Sequence, residues 1–165
     1  GCGGGDMRPF FHVFGIDEYI GVDVNPVAFA HSSYIRGYEE QFRLLNLQQE
    51  IDFGTTFEVV CSFEVLEHIR EDELDHTMRT IRTHMGPRSI FLGTASLQDG
   101  LDVHVTVKPR EFWVERFRRH GLAPHREHTR LETLLARNHP FNWHGGNTNV
   151  FAFVLAVAAK AKEAK

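Results

Sequence analysis

Short apolar runs alternate along this chain with segments of helical periodicity, and that alternation restricts the fold more than any other feature. The runs fall at 19–24, 41–47, 57–63, 89–94, more weakly at 124–129, and at 149–157. The run at 57–63 is continuous and rich in Val and Phe, which predicts a strand buried on both faces. Helices are expected between the runs. One covers 6–14, with Pro9 in its first turn, where a missing N–H costs little. Asn25 caps a second, with Pro26 as its first residue, reaching Ser33. The clearest spans 71–85: Leu74, Met78, Ile81 and Met85 share a face, Glu71, Asp72 and Glu73 sit at the positive end of the dipole, and Gly86-Pro87 stops it. Lys108-Pro109 introduces another, with Trp113 and Phe117 four apart and Gly121 as its stop, and a short one is expected over 130–138. Strands alternating with helices predict an α/β chain with a doubly wound, mostly parallel sheet, helices on both faces and a ligand site at the carboxyl ends of the strands. The irregular stretch 95–108 is expected to lie over that site.

Composition narrows the partners. The chain has 165 residues, one domain's worth, and is 42% hydrophobic and 24% charged, which excludes a disordered or collagen-like polymer. Lys plus Arg is 18 and Asp plus Glu 22, for a net charge of −4, so no strong basic field invites nucleic acid at neutral pH. The longest apolar run, 150–159, is too short for a bilayer. With only Cys2 and Cys61, a disulfide framework is not expected and a reducing, cytoplasmic setting is. The domain is expected over 1–157, with 158–165 a frayed tail of Ala, Lys and Glu.

Three segments carry candidate chemistry. Gly1-Cys2-Gly3-Gly4-Gly5 is a loop that lets backbone approach a ligand, ahead of a helix whose first N–H groups are free. Such a loop ordinarily follows a buried strand, so the chain reads as having lost its first strand. The dinucleotide fingerprint G-x-G-x-x-G is not met, because Asp6 stands at its last position. Asp23 ends an apolar run 18 residues after Gly5, where a carboxylate accepts hydrogen bonds from a ribose diol. The run at 57–63 leads into Glu64-Val65-Leu66-Glu67-His68, a turn dense in titratable groups.

Gly-Cys-Gly-Gly-Gly, Gly21-Val22-Asp23-Val24-Asn25-Pro26 and Glu64-Val65-Leu66-Glu67-His68 together resemble the class I S-adenosylmethionine (SAM)-dependent methyltransferases, in order and spacing. The resemblance implies a Rossmann-like sheet whose last strand is antiparallel, and SAM as cofactor. It implies that Gly1, Cys2 and Gly3 line the methionine part, with Gly5 at the start of the helix. Asp23 would bind the ribose hydroxyls and Val24 would pack on the adenine. Asn46 and Leu47 stand where the family often has Asp-Leu, beside the adenine amino group. Ser62, Phe63 and Glu64 would line the cofactor near its sulfonium, with His68 near the transfer site. The family's first strand, and an acid two residues before the first glycine, have no counterpart here. That strand would run between those carrying Asp23 and Glu64, so the chain as given is expected to be less stable than a longer parent.

The activity this implies is methyl transfer from SAM to a small polar acceptor, a hydroxyl, with His104 or His68 as general base. His104 precedes Lys108-Pro109-Arg110-Glu111-Phe112-Trp113, a stretch that resembles family members acting on small polar molecules. Two alternatives stay open: a nucleotide-binding or inactive truncated domain, and an NAD-dependent oxidoreductase, in which the Glu64–His68 turn has no role. No nucleic acid or membrane partner is expected. No metal is expected either: no Cys joins His125, His128, His139 and His144, and Arg126, Arg130 and Arg137 surround them. Phe112, Trp113 and Phe117 read as a core stripe, Arg116, Arg118 and Arg119 as a solvated helix face, and Cys61 as a small core residue.

Overall fold

The computed structural model describes residues 1–99, 102–137 and 150–158, so His139, His144 and the expected tail beyond 158 lie outside the described residues. The chain divides into two compact units, Gly1–Gln49 and Glu50–Lys165.

In the first unit, α1 (Arg8–Val13), β1 (Gly21–Asp23), α2 (Pro26–His31) and β2 (Phe42–Leu44) follow one another, with a 3₁₀ turn at Glu39–Gln41. β1 and β2 are parallel, with Gly21 opposite Phe42 and Asp23 opposite Leu44. Phe42 is the centre of the packing, with the rings of Tyr19 and Phe29 at 5.5 and 5.9 Å. The Asn25 side chain accepts hydrogen bonds from the N–H groups of Val27 and Ala28, so the expected cap forms. α1 starts at Arg8 rather than Asp6, and α2 stops at His31, where Ser32 turns extended and its hydroxyl donates to the Gly4 carbonyl.

Gly5 has to be glycine twice over. Its φ is +76°, and a Cβ there would stand 2.8 Å from the Phe42 ring. Gly15 has φ +74° but nothing within 4 Å. Gly5→Ala is therefore expected to cost about 2–4 kcal/mol, from the left-handed backbone and the overpacking together. Gly15→Ala should cost about 1–2 kcal/mol, from the backbone alone. Denaturant unfolding of the two variants checks the ordering; equal losses would show that the Phe42 contact does not matter.

The second unit contains β3 (Phe57–Ser62), a 3₁₀ turn (Leu66–His68), α3 (Leu74–Thr83), β4 (Met85–Ser96), α4 (Arg110–Arg119), β5 (Leu122–Pro124), α5 (His128–Arg137) and β6 (Val150–Val157). Its sheet has the order β3-β4-β6-β5. β3 and β4 are parallel, and β6 is antiparallel to both β4 and β5. Three of the four strands thus run one way and the last the other, as expected. Leu74, Met78 and Ile81 are buried, and Trp113 and Phe117 are fully so, with Phe117 between the rings of Phe91 and Phe153 at 5.3 Å each. Gly121, at φ +74°, ends α4.

Several expectations need correction. β3 is not buried on both faces: it is an edge strand of its sheet, and Glu58, Val59 and Cys61 are exposed, so Cys61 is not a core residue. Gly86-Pro87 does not stop α3, which ends with His84 as its cap. Both residues lie inside β4, where the β3–β4 register shifts between the Phe57 and Val59 pairings. At such an irregularity proline's missing N–H breaks no ladder bond. Pro124 is tolerated in β5 because that strand, too, is at an edge. Arg116 is not solvated like Arg118 and Arg119: it is 15% exposed and donates to Asp75 at 2.9 Å.

Asp75 also accepts from His120 Nε2 at 3.0 Å, so one carboxylate joins α3 to both the last turn and the cap of α4. These bonds, His120 first and then Arg116, hold its carboxyl below the ordinary 3.8. A depressed folded-state value means stability that is present above the unfolded value and is lost as pH falls through the folded one. Asp75→Asn should therefore lower the melting temperature at pH 7, and the gap from wild type should close on acidification below pH 3.8. A gap that is constant with pH would show that the carboxylate's charge is not what matters.

Candidate functional site

The candidate residues fall into two groups. In the first unit the chain start lies along β1: the Gly1 ammonium and the Cys2 N–H both donate to the Val22 carbonyl, at 2.7 and 2.8 Å. The loop then turns back at Gly3 and Gly5, both at positive φ, with Gly5 N–H donating to Cys2 O. Asp23 sits at the carboxyl end of β1. One oxygen accepts from Gly3 N–H at 2.7 Å, and the other from Asn25 N–H at 2.9 Å. Its backbone carbonyl accepts from Leu45 N–H, which places Asn46 and Leu47 next to the same strand end. Asn46 Oδ1 accepts from Gln48 N–H. Val24 is 62% exposed, a large apolar side chain without cover. The glycine loop, Asp23, Val24, Asn46 and Leu47 are thus brought to one end of a two-stranded parallel sheet. Each Asp23 oxygen, holding one bond, retains a lone pair for a further donor.

In the second unit β3 ends at Ser62, and Phe63 leads into Glu64, the one non-glycine residue at positive φ (+53°) among the described residues. Such a conformation costs about 1–2 kcal/mol and aims the following turn. Glu64 N–H donates to Thr94 Oγ1 at 3.0 Å. In the turn beyond, Val65, Leu66, Glu67 and Ile69 are buried while His68 alone is exposed. The turn is held by its neighbours and presents the imidazole.

His68 and His104, 36 positions apart, meet edge to face with ring centroids 4.8 Å apart. Two hydrogen bonds close the 103–106 segment onto the turn: Thr106 N–H donates to Glu67 O at 2.9 Å, and His68 Nδ1 bonds Val103 O at 2.8 Å. His104 Nδ1 bonds Gln98 O at 2.8 Å. A carbonyl only accepts, so each Nδ1 carries the hydrogen. Each neutral ring then has its lone pair on Nε2.

Glu67 is fully buried beneath the two rings' segment. Its Oε1 accepts from Ser96 N–H at 3.1 Å, while Oε2 is buried with no hydrogen-bond partner. Burial pushes the Glu67 carboxyl above its ordinary value, against the opposing pull of its own N–H, Ser96 N–H, His104 and Glu64. Motif spacing does not single out Glu67 as a site residue. The local signal is an acid directly after apolar Val65-Leu66, and it does not by itself mark a buried charge kept for a partner.

The profile of a methyltransferase domain family matches residues 1–141. No curated protein matches at a significant level. Solved structures do. A TehB-like SAM-dependent methyltransferase from Corynebacterium glutamicum superposes with a TM-score of 0.68 at 17% identity, over 95% of this chain and 77% of that one. The glycopeptide N-methyltransferase MtfA, in complex with SAM, superposes at 0.62 and 13% identity, over 96% and 84%. An O-methyltransferase of a Brevibacillus brevis polyketide multienzyme, bound to S-adenosylhomocysteine, does so at 0.66 and 13% identity, over 96% and 65%. The chain belongs to the class I SAM-dependent methyltransferase family, with its Rossmann-like α/β fold. Among the described residues no helix is long and apolar enough to cross a membrane.

Proposed function

We propose that this chain transfers the methyl group of SAM to the hydroxyl of a small polar acceptor. The observation that carries the reading is the His68–His104 pair, whose Nδ1 atoms are both bonded to backbone carbonyls, leaving each Nε2 lone pair as acceptor. The pair stands beyond the carboxyl end of β3, on the turn that follows Glu64. Asp23, with Gly1, Cys2, Gly3, Gly5, Val24, Asn46 and Leu47, would hold the cofactor's nucleoside and methionine parts. The family resemblance assigns Ser62, Phe63 and Glu64 to the sulfonium end of the cofactor. The cofactor supplies an activated methyl, so the protein's task is alignment and removal of a proton. The acceptor oxygen attacks the methyl carbon, the carbon–sulfur bond breaks to leave the neutral thioether, and His104, with His68 beside it, takes the hydroxyl proton.

Calorimetric titration with SAM, S-adenosylhomocysteine and NAD tests the cofactor. Binding of the first two and not of NAD is expected, and binding of NAD alone would overturn the reading. Labelled SAM offered with matched hydroxyl and amine acceptors tests the acceptor. Transfer to amines only would remove the need for a base.

A further inference from the structure

We infer that Glu67, His68 and His104 form a binding site for a divalent transition-metal ion. One donor atom from each lies within 4.8 Å of the others. Two imidazoles and one carboxylate, with no thiolate, are the donor set that suits Zn²⁺, Mn²⁺ or Fe²⁺ and leaves coordination positions open.

Three independent features prepare these side chains for an ion. The Nδ1 atoms of both His donate to backbone carbonyls, the arrangement that turns Nε2 toward a metal and fixes the ring. Glu67 is fully buried, and its Oε2 has no hydrogen-bond partner, while Oε1 is held by Ser96 N–H. A buried carboxylate oxygen without a donor is costly, and a cation removes that cost. Finally, the segment carrying His104 is closed onto Glu67 itself by the Thr106–Glu67 backbone bond, so the third donor is held by the fold. An ion with bonds of about 2.1 Å holds neighbouring donors about 3–3.5 Å apart, so side-chain rotations of about an ångström complete the site.

The site stands by itself; its role rests on the methyl-transfer reading. With an ion bound, both Nε2 lone pairs are committed and the rings act on the acceptor through the metal rather than as bases. The hydroxyl oxygen occupies an open position, its pKa falls, and its proton leaves to solvent. Its lone pair then forms the oxygen–carbon bond as the carbon–sulfur bond breaks.

Calorimetry on the chelator-treated full chain, titrated with Zn²⁺ and separately with Mn²⁺, tests the site. One ion per chain is expected. Glu67→Gln, His68→Ala and His104→Ala should each weaken it about a hundredfold or more, and His125→Ala should leave it unchanged. Because Glu67→Gln places an amide in the core, the exposed His68→Ala carries the test if the former does not fold. Absence of stoichiometric binding, or binding indifferent to all three variants, overturns the site. A SAM titration on the same samples separates the two readings: failure to bind SAM with the ion in place sinks the methyl-transfer reading alone. Transfer that is unaffected by chelation would overturn the metal's role and return the rings to base catalysis.

Discussion

His104→Ala is expected to lower turnover by about a hundredfold or more while SAM affinity stays within about twofold of wild type. His104 is not among the residues proposed to hold the cofactor. It meets His68 at 4.8 Å and is oriented by the Gln98 carbonyl. Removing it deletes one Nε2 lone pair and leaves the Thr106–Glu67 bond that closes the segment. His68→Ala should behave similarly, since the exposed ring stands on a turn whose other members are buried and hold it. Steady-state assays with SAM binding measured separately decide this. A fall in cofactor affinity with unchanged turnover would reassign both residues to binding. Wild-type turnover in both variants would reduce catalysis to alignment, which suffices for an amine or a thiol.

Asp23→Ala should weaken SAM binding about ten- to a hundredfold, the worth of about 1.5–3 kcal/mol for charge-assisted bonds to a diol. Asn25, not Asp23, caps α2, though Asp23 in turn accepts from the Asn25 N–H at 2.9 Å. Asp23 also accepts from Gly3 N–H, at 2.7 Å, and the substitution therefore loosens the glycine loop as well. Asp23→Asn separates the two effects: its carbonyl oxygen still accepts one backbone N–H, so a smaller loss is expected. Titration of both variants, with a melt of each as a control on folding, gives the answer. Unchanged affinity in Asp23→Ala would remove this residue from the site.

Local features were legible wherever a residue's own chemistry decides its conformation. Asn25-Pro26 predicts a capped helix and one forms, because the side-chain oxygen and the fixed proline φ need no distant partner. The Leu74–Met78–Ile81 and Trp113–Phe117 stripes predict their burial, since helical spacing puts them on one face. Gly86-Pro87 misled because the same dipeptide that stops a helix also fits a strand at a register shift, and pairing across strands is a long-range property. Cys61 misled for a related reason: a run of apolar residues reads as a central strand, and only the strand order makes β3 an edge.

The sequence by itself determined the alternation of elements, the Asn25 cap, the family and the identity of the residues at the strand ends, all of which depend on short spacings. Only the tertiary structure decided which of those residues meet. His68 and His104 stood in the sequence as separate candidates for one task, and it took the closure of the 103–106 segment onto the Glu67 turn to make them a pair. Glu67 became a candidate only when its carboxylate proved to be fully buried with one oxygen unpartnered. Burial and hydrogen-bond partnership are set by chain segments far apart in sequence, so no local pattern encodes them.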